Sequence, residues 1–189
     1  MEKICLFGGT FDPIHVGHVR MAKAAKQACN LDKVLFLPCA ASPHKSLGPH
    51  SSDAQRCEMI RLALAEHSDW AELNLTDLEL PPPSWSWRLA EYFHSRLPHA
   101  ELYWLMGTDQ WDALERWSRW EYLADMVCFI VYHRNSPPSP RPNVRSVFIP
   151  GNEPASSTEI RQALKNKAPS IPYLHPQVAD YIKKHRLYL

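Results

Sequence analysis

Two histidines three residues apart, His15 and His18, close the segment Gly8-Gly9-Thr10-Phe11-Asp12-Pro13-Ile14-His15-Val16-Gly17-His18. An apolar run, Ile4-Cys5-Leu6-Phe7, leads into it, and a helix-like stretch, residues 19–29, follows. A strand, a glycine-containing turn and a helix start in that order form an anion site. Backbone N–H groups converge there, and the helix N-terminus adds partial positive charge. Imidazoles at the mouth of that helix face the same anion, so the expected chemistry is that of a phosphate. The segment is neither G-x-x-x-x-G-K-[ST] nor G-x-G-x-x-G, which removes the P-loop and the dinucleotide fingerprint. A spacing of three also suits a metal pair, but no Cys or His cluster nearby completes a four-ligand site.

A second segment, Ala155-Ser156-Ser157-Thr158-Glu159-Ile160-Arg161, has hydroxyl residues at a helix cap with Glu159 close behind. Locally it is a capped helix start, and a phosphate role stays open beside that reading. Arg161 would bring forked donors suited to phosphate oxygens.

These residues must be held by a scaffold, and the apolar pattern indicates which. Further apolar runs fall at residues 33–37, 71–75, 102–106, 127–132 and 144–149, with helix-length segments at 53–66 and 87–97. The first of these helices has Ser52-Asp53 as its cap and Cys57, Ile60, Leu62, Leu64 and Ala65 as its apolar face. Strands alternating with helices predict an α/β fold, a central, mostly parallel sheet covered on both faces. Ligands in such sheets bind beyond the carboxyl ends of the strands. Gly8 to His18 and Gly107-Thr108-Asp109 both follow apolar runs, which puts them on that edge. Proline-rich stretches at 80–84 and 135–142 are loops, and residues 176–188 read as a final helix ending in Lys183-Lys184-His185-Arg186.

With 189 residues, one domain spanning 1–189 is expected. The formal net charge of +1 gives no reason to expect nucleic acid or an acidic membrane surface as partner. Met1-Glu2-Lys3 followed at once by a strand does not resemble a signal peptide, and no apolar run reaches membrane-spanning length. The five cysteines are scattered and read as free thiols of a reducing, cytoplasmic compartment. Six of the seven tryptophans lie between Trp85 and Trp120. Trp104, inside a strand, is assigned to the core. Trp117, between Arg116 and Ser118, is the better candidate to stack on a ring, and Trp120 shares its predicted helix face.

Taken together, the His15-Val16-Gly17-His18 and Ser156-Ser157-Thr158-x-x-Arg161 motifs resemble those of the bacterial nicotinate mononucleotide adenylyltransferases, nucleotidyltransferases of Rossmann-like fold. Pro43-His44-Lys45, Gln55-Arg56-x-x-Met59, Gly107-Thr108-Asp109 and Trp117 follow the family's order, so the similarity covers almost the whole chain. The resemblance implies transfer of the AMP moiety of ATP to nicotinate mononucleotide, giving the deamido dinucleotide precursor of NAD and pyrophosphate. The acceptor's phosphate attacks directly, without a covalent intermediate. His15 and His18 would then be catalytic donors to phosphate oxygens. Gly8, Gly9, Thr10, Phe11, Asp109, Ser156, Ser157, Thr158 and Arg161 would bind ATP, Asp109 through ribose hydroxyls unless it merely caps the turn at 111–114. Mg²⁺ would be held mostly by the ATP phosphates and water. His44, Lys45, Ser84, Ser86, Trp117 and Arg134 would bind the acceptor.

The acceptor side departs from the family pattern. Ser84-Trp85-Ser86 stands where Ser-Tyr-Thr is common, Ser118 where a bulky residue follows the stacking tryptophan, and His133 and Asn135 flank Arg134 in place of Arg-Pro-Gly. Ser86 and Trp117 favour nicotinate over nicotinamide. Phosphopantetheine adenylyltransferase, a nicotinamide-mononucleotide-preferring adenylyltransferase and a non-catalytic nucleotide sensor are the alternatives, and the last is disfavoured by the presence of His15, His18 and Arg161.

Overall fold

The computed structural model describes residues 1–40 and 48–189. Its centre is a six-stranded, wholly parallel sheet: β1 (Lys3–Gly9), β2 (Lys33–Pro38), β3 (Ala71–Leu73), β4 (Glu101–Gly107), β5 (Cys128–His133) and β6 (Ser146–Pro150). The strand order is β3-β2-β1-β4-β5-β6. The chain therefore winds outward from β1 in one direction and then, from β4, in the other. That reversal leaves a crevice between β1 and β4 at the carboxyl edge, the place where open α/β sheets bind ligands.

Both faces of the sheet are buried, so its strands are apolar at successive positions instead of alternating with polar ones. Cys5 and Phe7 point into a core shared with α1 (Val16–Cys29), α2 (Asp53–Leu64) and α8 (Pro176–His185). Ile4 and Leu6 point into the opposite core, beneath α4 (Ser86–Arg96) and α6 (Trp120–Met126). Short helices α3 (Thr76–Glu79) and α5 (Thr108–Asp112), and α7 (Ser157–Lys165), complete the covering. Among the described residues no helix is long and apolar enough to cross a membrane.

Several element boundaries differ from those read in the sequence. The first helix begins at Val16, not residue 19, because His15 serves as its N-cap in extended backbone. α2 does open at Ser52: its hydroxyl accepts from the Gln55 N–H (3.2 Å), while the Gln55 side chain accepts from the Ser52 N–H (2.9 Å). Its inner face is set by Arg56, Met59 and Ala63 as well as Cys57, Ile60 and Leu64, and Ala65 is exposed. Trp117 and Trp120 do not share a helix face. Trp117 is extended, and Arg119, in the left-handed region at φ 52°, separates it from α6. The last helix ends at His185; Arg186 (φ 51°) and Tyr188 (φ 65°) turn the chain back on itself.

Candidate active site

Two cavities open at the carboxyl edge, one on each side of the turn that follows β1. The smaller, about 160 Å³, is walled by Trp104, Trp117, Trp85 and Leu89, with Ser84, Ser86 and Asp77 as polar groups. A cavity of about 150 Å³ accommodates one benzene ring, so this one has the size of a single six-membered ring. Trp104 rises from β4 and is both core and cavity floor. Trp117 meets it edge to face, with ring centroids 6.3 Å apart. The larger cavity, about 440 Å³, lies between the N-terminus of α1 and the ends of β4 and β5, lined among others by His15, Gly17, Asp109, Tyr132 and Arg134.

His15 is the buried group of the turn that faces the larger cavity. Burial lowers its pKa to about 4, so the ring is neutral at physiological pH. Its Nδ1 has no hydrogen-bond partner among the described residues, a condition that buried polar atoms rarely tolerate unless a ligand or water completes them. His18, one turn further along α1, stacks beneath it with centroids 3.6 Å apart and an interplanar angle of 23°. The His18 Nδ1 accepts from the His15 N–H (3.2 Å), which places the proton of a neutral His18 on Nε2. Gly17 is required by this pair: a Cβ there would lie 3.1 Å from His15 Nδ1 and 3.2 Å from the Ala155 Cβ.

The turn itself is held by groups far away in sequence. Phe11 sits at φ 48° with its ring edge-on to Phe7 (5.4 Å) and His18 (5.1 Å). Aromatic packing thus holds a backbone conformation that costs energy for a non-glycine residue. Arg56, fully buried, donates to the Thr10 carbonyl (2.8 Å), the Cys39 carbonyl (2.7 Å) and the Asp53 carboxylate (2.6 Å). Arg161 donates to the Asp12 carbonyl (2.6 Å), and the Ser157 hydroxyl to the Pro13 carbonyl (3.0 Å).

Residues 6–163 match the cytidylyltransferase-like family model. A protein of Methylacidiphilum infernorum named "Probable nicotinate-nucleotide adenylyltransferase" is 37% identical, covering 99% of this chain and 92% of its own. A Listeria welshimeri protein of the same name is 36% identical, over 99% and 97% of the two chains. The chain belongs to the nicotinate-nucleotide adenylyltransferase family. The fold agrees: Plasmodium falciparum nicotinic acid mononucleotide adenylyltransferase complexed with NaAD superposes with a TM-score of 0.81 at 22% identity, covering 100% of this chain and 98% of that one.

For a chain of this adenylyltransferase family, the expected site residues divide between the cavities in an order that local sequence did not reveal. Ser84, Ser86 and Trp117 line the ring-sized cavity, and Gly8, Gly9 and Thr10, expected on the ATP side, line it with them. A Cβ at Gly9 would come within 2.8 Å of the Phe11 ring, so the glycine makes room for that ring. Phe11 is correspondingly a core residue that could reach a ligand only through its backbone. Arg134, expected on the acceptor side, lines the larger cavity with Asp109, because both stand at the ends of neighbouring strands β4 and β5. Asp109 lies inside the first turn of α5, whose cap is Gly107, so it does not cap a turn at 111–114. Ser156 caps α7, and Thr158 receives a bond from Arg161 (3.2 Å). His44 and Lys45 lie outside the described residues.

Two residues of the site were not read from the sequence. Arg56 enters the sequence reading only through the Gln55-Arg56-x-x-Met59 match, without a role. Asp77 is buried at the ring-sized cavity, and burial raises its carboxyl pKa against hydrogen bonds from Ser84 and the Ala40 N–H. Neither carries a local signal, because their burial depends on loops that pack over them.

Proposed function

We propose that this protein joins the AMP moiety of ATP to nicotinate mononucleotide, forming the deamido dinucleotide of NAD biosynthesis and pyrophosphate. The observation that carries the reading is the pair of unlike cavities meeting at the 8–18 turn. The ring-sized one, between tryptophans, suits the pyridine ring. The larger one, with Asp109 and Arg134 at its rim and His15 at its inner wall, suits ATP. The two phosphates then meet at the turn.

The reaction needs alignment and charge stabilisation more than proton transfer, since the attacking phosphate is already an anion. His15, neutral and desolvated, donates a hydrogen bond to an α-phosphate oxygen, and the stacked His18 holds its ring in place. Donors fixed in a water-poor wall cost no reorganisation as charge develops. Arg161 and Ser157 hold the turn through Asp12 and Pro13, and the triphosphate is the natural additional acceptor for that guanidinium. Asp109 accepts from ribose hydroxyls. For the acceptor, Ser86 and the Trp117 region supply donors to the nicotinate carboxylate, and leaving those donors unpaired disfavours the amide.

Mg²⁺ belongs to this proposal as a companion of the triphosphate, and when bound it would supply charge neutralisation to the pyrophosphate leaving group. Among the described residues no three His, Cys, Asp or Glu converge on one point. Asp109 is assigned to the ribose and Glu153 is paired with Arg20 (3.3 Å), so the ion would be held mostly by the ATP phosphates and water. The test is pyrophosphate release from ATP and Mg²⁺ with nicotinate mononucleotide, nicotinamide mononucleotide and phosphopantetheine in parallel. Strong turnover with the first is expected. Equal turnover with the amide would overturn the acceptor assignment, and ATP binding without turnover would favour a sensor.

A further inference from the structure

We propose that Tyr188 is a positioning residue for the phosphate turn, clamping Asp12 and Ser51 together so that the backbone leading to His15 stays in place. The two left-handed residues after α8, Arg186 and Tyr188, direct the Tyr188 ring inward, where its hydroxyl donates to Asp12 Oδ1 (2.5 Å). The same hydroxyl accepts from the Ser51 hydroxyl (2.7 Å). The other Asp12 oxygen accepts from the His50 N–H (2.6 Å), and the Asp12 carbonyl accepts from Arg161 (2.6 Å). Asp12 and Ser51 are both buried, so water does not readily replace a lost partner. Burial and the neighbouring carboxylate push the phenol well above its usual range, which keeps it a neutral donor.

One side chain therefore links two loops of the site across 176 residues of sequence. On one side is the turn whose next residues, Pro13 to His15, reach the larger cavity. On the other are residues 50–52, which open α2 and so place Arg56, the buried cation bonded to Thr10 and Cys39. Loss of the hydroxyl would let the turn drift while leaving the tryptophan walls of the smaller cavity and the Asp109 and Arg134 side of the larger one intact. The expected signature is lost turnover, not lost binding.

This inference rests on the adenylyl-transfer reading, and its test separates the two. Tyr188→Phe keeps the ring and removes both bonds. Against wild type, kcat for dinucleotide formation is expected to fall about 10- to 100-fold, the scale of a small misplacement of reacting groups. The KM values for ATP and nicotinate mononucleotide should stay close to wild type. Ser51→Ala, which removes one of the two bonds, should show a smaller loss of the same kind and carries the test if Tyr188→Phe does not fold. Hydrogen exchange at residues 10–18 should quicken in either variant, whatever the reaction. Wild-type kcat in both variants, or equal rises in both KM values with kcat intact, would overturn the clamp. A wild-type protein that forms no dinucleotide would overturn the reading above and leave the exchange measurement to judge the clamp.

Discussion

The two cavities flanking the turn after β1 are built on opposite physical plans. The smaller is a slot between indole rings, with Trp104 fixed in the middle of the sheet and Trp117 packed against it. The larger is an open groove between strand ends, lined by His15, Asp109 and Arg134. A slot of one ring's size selects by shape and stacking. A groove lined by charged and hydrogen-bonding groups selects by charge and by where donors point. A reaction between two phosphate-bearing substrates needs both, because one end must be recognised as an aromatic acid and the other aligned for in-line displacement.

Substitutions that damage one cavity and spare the other break this comparison most sharply. His15→Ala should have the largest effect. It removes a fixed donor from the groove, with an expected kcat loss of about 100- to 1,000-fold and little change in the acceptor's KM, as initial-rate kinetics would show. Trp117→Ala should act on the slot alone. Loss of one stacking face is worth about 1–3 kcal/mol, seen as a raised KM for nicotinate mononucleotide with the KM for ATP unchanged. Gly151→Ala is its counterpart in the groove. A Cβ at Gly151 would fall 1.7 Å from the Tyr132 hydroxyl, so the ring must move, and Tyr132 lines the larger cavity. Weaker ATP binding by about tenfold, a cost near 1.4 kcal/mol, is expected in calorimetry, with acceptor binding preserved.

The last expected effect concerns pH and is read in stability, not in turnover. The His15 pKa is about 4 in the folded protein and near the ordinary 6.5 when unfolded. Burial of the neutral ring therefore stabilises the fold fully above pH 6.5, and this contribution is lost as pH falls from 6.5 to about 4. Denaturant titrations should lose up to about 1.4 kcal/mol per pH unit over that window relative to His15→Gln, whose side chain does not titrate. Parallel slopes for the two proteins would contradict the burial of a neutral imidazole.

What the sequence disclosed and what it concealed divide along a physical line. Strand, turn and helix start are local properties, and so the phosphate turn, the Asp109 segment and the 156–161 segment were all legible. The doubly covered parallel sheet followed from apolar runs without alternation. Which cavity each residue faces was not legible. Gly8 lines the slot and Arg134 the groove, placements that depend on the strand order of the whole sheet. The burial of Arg56 and Asp77 was not legible either, since nothing near them in sequence announces the loops that bury them. Tyr188 read as the end of a helix. Its role depends on two left-handed residues that pattern alone does not mark, and on a partner at Asp12.

The division of labour between slot and groove is tested most directly by a crystal structure of the protein with the deamido dinucleotide bound. The pyridine ring is expected in the slot against Trp104 and Trp117, its carboxylate toward Ser86, with the adenosine ribose at Asp109 and the phosphates beside His15. A dinucleotide bound in the reverse sense, or with its pyridine ring outside the tryptophan slot, would contradict it.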